Sequence, residues 1–156
     1  MIQSEQGYLL DTNHCIYLIN GLEKLHQQRS FQEQTVIDAL ESLEDSPLYF
    51  SEVTLGELYY GIARSHRQAQ NQQKLIFLKK LLYPLPITED VWKLFGETLS
   101  LLHKQGKPIA DRDLLIACTA KVYDLILVTN DKNLDNLPES FKKINWVKKL
   151  KNVPSK

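Results

Sequence analysis

Leu125-Ile126-Leu127-Val128-Thr129-Asn130-Asp131 is the stretch that decides the fold. Four consecutive aliphatic residues, closed by a polar pair and an acid, read as a short strand covered on both faces. Tyr8-Leu9-Leu10 before Asp11 and Leu48-Tyr49-Phe50 after Pro47 have the same character, and Leu85-Pro86-Ile87 and Ile144-Asn145-Trp146-Val147 are weaker versions of it. Helical spacing fills the intervals. Residues 31–43 put Val36, Ile37, Leu40 and Leu43 on one face, and 53–64 gather Leu55, Leu58, Tyr59 and Ile62. Residues 75–83, 91–103 and 114–123 follow the same rule. Short apolar strands alternating with helices predict an α/β fold, a three-layer α/β/α sandwich around a mainly parallel sheet.

The chain has 156 residues, enough to bury a core without staples, and neither a repeat nor a linker divides it. A single domain over 1–156 is expected, with its core at about 8–147 and a basic tail at 148–156. Nineteen basic and nineteen acidic residues cancel, so a nucleic-acid partner must be held by local basic patches. Cys15 and Cys118 sit in apolar runs and read as buried thiols; zinc-ligand spacing is absent. The first residues lack the pattern of a signal peptide, and no apolar run approaches the ~18 residues of a membrane span. A cytoplasmic protein without membrane attachment is expected.

The acids fall in informative places. Asp11 follows the first strand directly, and Asp131 follows Leu125–Val128 after two residues. Ligands of open parallel sheets bind beyond the carboxyl ends of strands, so two strands deliver carboxylates to one edge. Glu57 lies roughly 140–200° around its helix from Leu55, Tyr59 and Ile62, on the side of Tyr60, Gly61 and Arg64. Asp113 opens the run Leu114-Leu115-Ile116-Ala117-Cys118. Each acid also has an ordinary role. Asp11 and Asp131 suit helix N-caps, Thr54-Leu55-Gly56-Glu57 suits a capping box, and Asp111 and Asp113 suit a helix's first turn. Their joint appearance at one edge favours a cluster neutralised by a hard divalent cation, Mg²⁺ or Mn²⁺.

Leu9-Leu10-Asp11-Thr12-Asn13, Thr54-Leu55-Gly56-Glu57-Leu58, Asp113-Leu114-Leu115-Ile116-Ala117 and Leu127-Val128-Thr129-Asn130-Asp131 occur in an order that resembles PIN domains. More narrowly, the chain is similar to VapC-type toxin ribonucleases of type II toxin–antitoxin pairs, over about residues 8–147. The resemblance implies an Mg²⁺-dependent endoribonuclease, tRNA being one open substrate, in which Asp11, Glu57, Asp113 and Asp131 are catalytic metal ligands. Thr12, Asn13 and Thr129 match flanking polar positions that support the acids. An activated water would attack the phosphodiester, with no side-chain nucleophile. A cognate antitoxin, docked in a groove between helices near the site, and a homodimer are implied as partners beside the RNA.

Arg64, seven residues after Glu57, is positioned either to reach a phosphate or to pair with Glu57. The four histidines lack ligand spacing and read as surface or packed residues, and Ser51 reads as a cap. Lys107 and Arg112 flank Asp113 as RNA contacts or solvated charge. Lys142, Lys143, Lys148, Lys149 and Lys151 surround Trp146, which reads as core packing. The 75–83 run is more apolar than one helix face requires, which suits core packing or an interface. Competing readings are a PIN ribonuclease of RNA maturation, a non-catalytic interaction module and a phosphoacceptor domain. The last needs an additional acid near the first strand and a Lys ending a late strand, and a haloacid-type phosphatase needs an acid where Asn13 stands.

Overall fold

A computed structural model describes residues 6–43 and 45–147, so the tail lysines Lys148, Lys149 and Lys151 lie outside the described residues. The chain runs β1 (Tyr8–Leu10), α1 (Thr12–Glu23), α2 (Phe31–Ser42), β2 (Leu48–Ser51), α3 (Glu52–Arg64), α4 (Gln68–Leu81), β3 (Tyr83–Leu85), α5 (Glu89–Lys104), α6 (Asp111–Val122), β4 (Ile126–Val128) and β5 (Lys143–Ile144). The strands form one sheet in the order β3-β2-β1-β4-β5, every neighbouring pair parallel.

Alternation along the strands assigns the two faces. Leu9 and Leu127 pack with α5 and α6, while Leu10, Phe50 and Val128 pack with α1, α2 and α4. The three-layer expectation therefore holds. Trp146 joins the second layer at 8% exposure, beside Tyr8. Both cysteines are buried and unpaired, and burial pushes the Cys118 thiol up to about 12. Among the described residues no helix is long and apolar enough to cross a membrane.

Four elements differ from expectation. Helix α1 occupies 12–23, where polar Asn13, Asn20 and Gly21 break up the apolar signal around Cys15. Helix α4 begins at Gln68, because Gln and Ala support a helix without supplying an apolar stripe. It ends before Tyr83, which belongs to β3: Pro84 holds the residue before it extended, and this edge strand tolerates the missing N–H. Strand β5 is Lys143–Ile144 rather than 144–147. Tyr59 is exposed rather than on the core face of α3.

Ser30 and Glu33 close a capping box at the start of α2, where Ser30 N donates to Glu33 Oε1 at 2.9 Å and Glu33 N donates to Ser30 Oγ at 3.1 Å. Lys24 Nζ donates to both Glu33 oxygens at 2.8 and 2.9 Å. A Cβ at Gly21 would lie 2.7 Å from Ile37 Cδ1, so this glycine lets α1 and α2 close around the buried acid. Burial pushes the Glu33 carboxyl up, but the Lys24 ammonium and the Ser30 hydrogen bonds outweigh it and hold the group below its ordinary value. Its contribution is complete above the unfolded carboxylate value near ~4.3 and is lost as pH falls through the lower folded value. Glu33→Ala should cost about 1–3 kcal/mol at pH 7 in chemical unfolding, and the deficit should shrink on acidification below pH ~4.

Candidate active site

From the central β1 the chain builds β2 and β3 on one side, then crosses to build β4 and β5 on the other. The reversal leaves a crevice at the carboxyl ends of β1 and β4, because α1 leaves over one face and α6 enters over the other. The two strand ends are locked in register: Leu10 pairs with Val128, and Asp11 N donates to Val128 O at 3.0 Å.

Asp11 is the N-cap of α1, its Oδ1 accepting from His14 N at 2.9 Å. Asp131 caps the 3₁₀ turn Lys132–Asn136, its Oδ1 accepting from Asn133 N at 2.9 Å, while its own N–H donates to Thr129 Oγ1 at 3.2 Å. Capping and clustering are thus compatible: the caps fix where the acids stand. Asp113 occupies the first turn of α6.

Glu57 corrects its capping-box reading. Helix α3 starts at Glu52 and is capped by Ser51, so Thr54 lies inside the helix. Thr12 Oγ1 lies 2.8 Å from Glu57 Oε1 and 2.9 Å from Thr54 Oγ1. A carboxylate only accepts, so Thr12 donates its single proton to Glu57 and accepts from Thr54. Arg112 Nη1 stands 3.9 Å from Glu57 Oε2, on a largely exposed side chain where screening leaves little energy. Arg64 does not pair with Glu57; it donates to Tyr60 Oη at 2.9 Å and lies over that ring at 5.4 Å.

The four acids meet electrostatically at Asp113. Burial first, then the charges of Asp131, Glu57 and Asp11, push its carboxyl above the ordinary range, with Arg112 pulling the other way. Two unit charges about 4 Å apart at an effective dielectric near 20 repel by roughly 4 kcal/mol. Among the described residues no three His, Cys, Asp or Glu side chains form a group that would ligate an ion as they stand. The carboxylates are near enough to disturb the titration of Asp113, without forming a ready-made ligand group. As donors they are all hard oxygens, the set that suits a divalent cation of the Mg²⁺ kind.

Of the flanking residues, Thr12 orients Glu57, and Thr129 is buried and orients the backbone of Asp131. Asn13 is exposed and makes no side-chain hydrogen bond among the described residues. Sequence reasoning missed Thr54 and His14. His14 is fully buried, with Nδ1 2.9 Å from Asp11 Oδ1. The available signal was its place three residues after an N-capping Asp, next to buried Cys15.

A groove of about 300 Å³ runs between α1, α3 and α4, reaching Thr12 and Glu57 at one end and lined farther along by Ile16, Leu58, Gly61 and Leu75. A smaller polar depression of about 230 Å³ adjoins Asp131, with Lys132, Lys143 and Asn145 in its wall.

The PIN domain family matches residues 8–140. The chain is 33% identical over 143 residues to Ribonuclease VapC2 of Rickettsia felis, covering 90% of this chain and 98% of that protein. It is 28% identical over 124 residues to the tRNA(fMet)-specific endonuclease VapC of Shigella flexneri, covering 80% and 86%. Its fold is similar to the crystal structure of VapBC2 from Rickettsia felis bound to a DNA fragment from their promoter, with a TM-score of 0.76 and 30% identity over 89% of this chain and 98% of that one.

Because the net push on Asp113 is upward, its ionisation opposes folding, and this cost grows as pH rises through its folded value. Asp113→Asn should therefore raise the melting temperature of chelator-treated protein at pH 7 by a few degrees. The gain should shrink as pH falls through the ordinary carboxylate range, where the wild-type carboxyl takes up its proton. Parallel thermal melts at pH 7 and within that range check this.

Proposed function

The chain belongs to the PIN domain family, among the VapC-type ribonucleases, and from that membership we propose that it is the toxin of a type II toxin–antitoxin pair, an endoribonuclease that cuts RNA phosphodiester bonds at the β1–β4 crevice. The observation that carries the site is the upward push on Asp113 from its burial and from the charges of Asp131, Glu57 and Asp11 together.

Asp11, Glu57, Asp113 and Asp131 would hold Mg²⁺, for which Mn²⁺ can substitute. When bound, such a cation supplies a Lewis acid for the phosphate and lowers the pKa of the attacking water. The protein's own part is orientation. The Thr54–Thr12 hydroxyl relay holds one Glu57 oxygen, and backbone caps hold one oxygen each of Asp11 and Asp131. Lys132 beside Asp131 offers local positive charge to the RNA backbone, while Lys143 in the same depression is paired with Asp135. Transfer RNA is the substrate class favoured by the name of the Shigella flexneri relative.

Two partners follow from the surface. The groove between α1, α3 and α4 is mostly apolar and ends at Thr12 and Glu57, so an apolar antitoxin segment lying in it covers the crevice while burying its own hydrophobic face. Ile76, Phe77 and Leu81 of α4 and Tyr83 of β3 are exposed together near one sheet edge, and a second copy of the chain would bury them.

Asp11→Asn should cut the rate of RNA cleavage about 100-fold or more while leaving the far-ultraviolet circular dichroism unchanged. Chelation should do the same to the wild type, and Mg²⁺ or Mn²⁺ should restore it. Undiminished cleavage by the variant would remove Asp11 from the site. A Cβ at Gly61 meets nothing within 4 Å, so Gly61→Phe fills the groove without disturbing the helix behind it. In co-expression, this variant should escape neutralisation by a cognate antitoxin and remain toxic.

A further inference from the structure

We infer that His14 is the positioning residue of the metal site: it holds Asp11 Oδ1 so that Oδ2 is the oxygen presented to the cation. The inference rests on the reading of Asp11 as a ligand. Oδ1 accepts twice, from His14 N and from His14 Nδ1, each at 2.9 Å, so one residue fixes that oxygen through both backbone and ring. Oδ2 accepts no hydrogen bond among the described residues and is not sealed from solvent, since the only buried polar side-chain atom lacking a partner there is His14 Nε2. Asp11 itself keeps 12% of its side chain exposed.

The ring has little freedom. His14 is 0% exposed, and the rings of Tyr17 and Trp146 meet it edge-on at 5.9 and 6.3 Å. The side-chain partner of this ring among the described residues is Asp11, reached through Nδ1. A carboxylate only accepts, so the bond between them requires a proton on Nδ1. Partners that orient ligating side chains typically change metal affinity about 10–100-fold when removed.

The test is Mn²⁺ affinity of the full chain, read from the electron paramagnetic resonance signal of free Mn²⁺, together with melting temperature in chelator. Wild type, His14→Phe, His14→Asn and Asp11→Asn are compared. His14→Phe should bind Mn²⁺ about 10-fold more weakly, or worse, while still melting cooperatively in chelator. His14→Asn keeps an N–H near the position of Nδ1 and should stay within about threefold of wild type. If His14→Phe does not fold, His14→Leu makes the same comparison with a smaller side chain. Wild-type affinity in the Phe or Leu variant overturns the inference, and so does an equal loss in the Asn variant, which would mark a packing role only. If Asp11→Asn also binds like wild type, the reading of Asp11 as a ligand falls as well; if it alone loses the ion, that reading survives and only the role of His14 is refuted.

Discussion

Repulsion among four carboxylates is the constraint on which the rest of the structure depends. Asp11, Glu57, Asp113 and Asp131 come from four different parts of the chain, and burial, joined by the charges of the other three, displaces the titration of Asp113 upward. Nothing in the hydrophobic core asks for this. The core asks for the opposite end of each element: Leu9, Leu10, Leu127 and Val128 inside the sheet, and 114–120 inside α6. The acids are carried to the sheet edge by elements that must be buried: Asp11 directly follows β1, Asp131 follows β4 after Thr129 and Asn130, and Asp113 and Glu57 stand in the early turns of α6 and α3. Ordinary local chemistry then anchors them. Two are caps, one stands in a first helical turn, and one is tied to a threonine on another helix.

This division explains what could be read from the sequence. The three main strands were legible because 8–10, 48–50 and 125–128 are nearly pure apolar runs, and the carboxyl-edge rule placed Asp11 and Asp131 from those strands alone. Helix α6 was legible because it is buried all round. Where an element's reason is local and polar, the sequence was mute. The glutamine-rich start of α4 has helix propensity but no stripe, and β3 is set by Pro84. The capping box assigned to Thr54 and Glu57 is absent because Ser51, one helical turn earlier, already caps α3; a real one lies at Ser30 and Glu33. Pairings across the site were beyond reach. No spacing rule connects Thr12 to Glu57, and Arg112 rather than Arg64 stands beside Glu57 because α6 and α3 meet at that end.

Function follows from the same geometry. A nuclease that relies on charge-clustered oxygens has an inactive resting state built in, since the carboxylates repel until a cation joins them. It can also be covered. The proposed antitoxin groove has the Thr12–Glu57 contact at one end, so a protein lying along α1, α3 and α4 would gain hydrophobic burial beside the acids.

Thermal unfolding of the wild-type chain as Mg²⁺ is titrated in, against NaCl of matched ionic strength, tests the central claim most directly. A cation that binds the folded cluster and not the unfolded chain must raise the melting temperature progressively with its concentration. That rise, absent in the NaCl series, is the predicted result; superimposable melts in the two series would contradict the account.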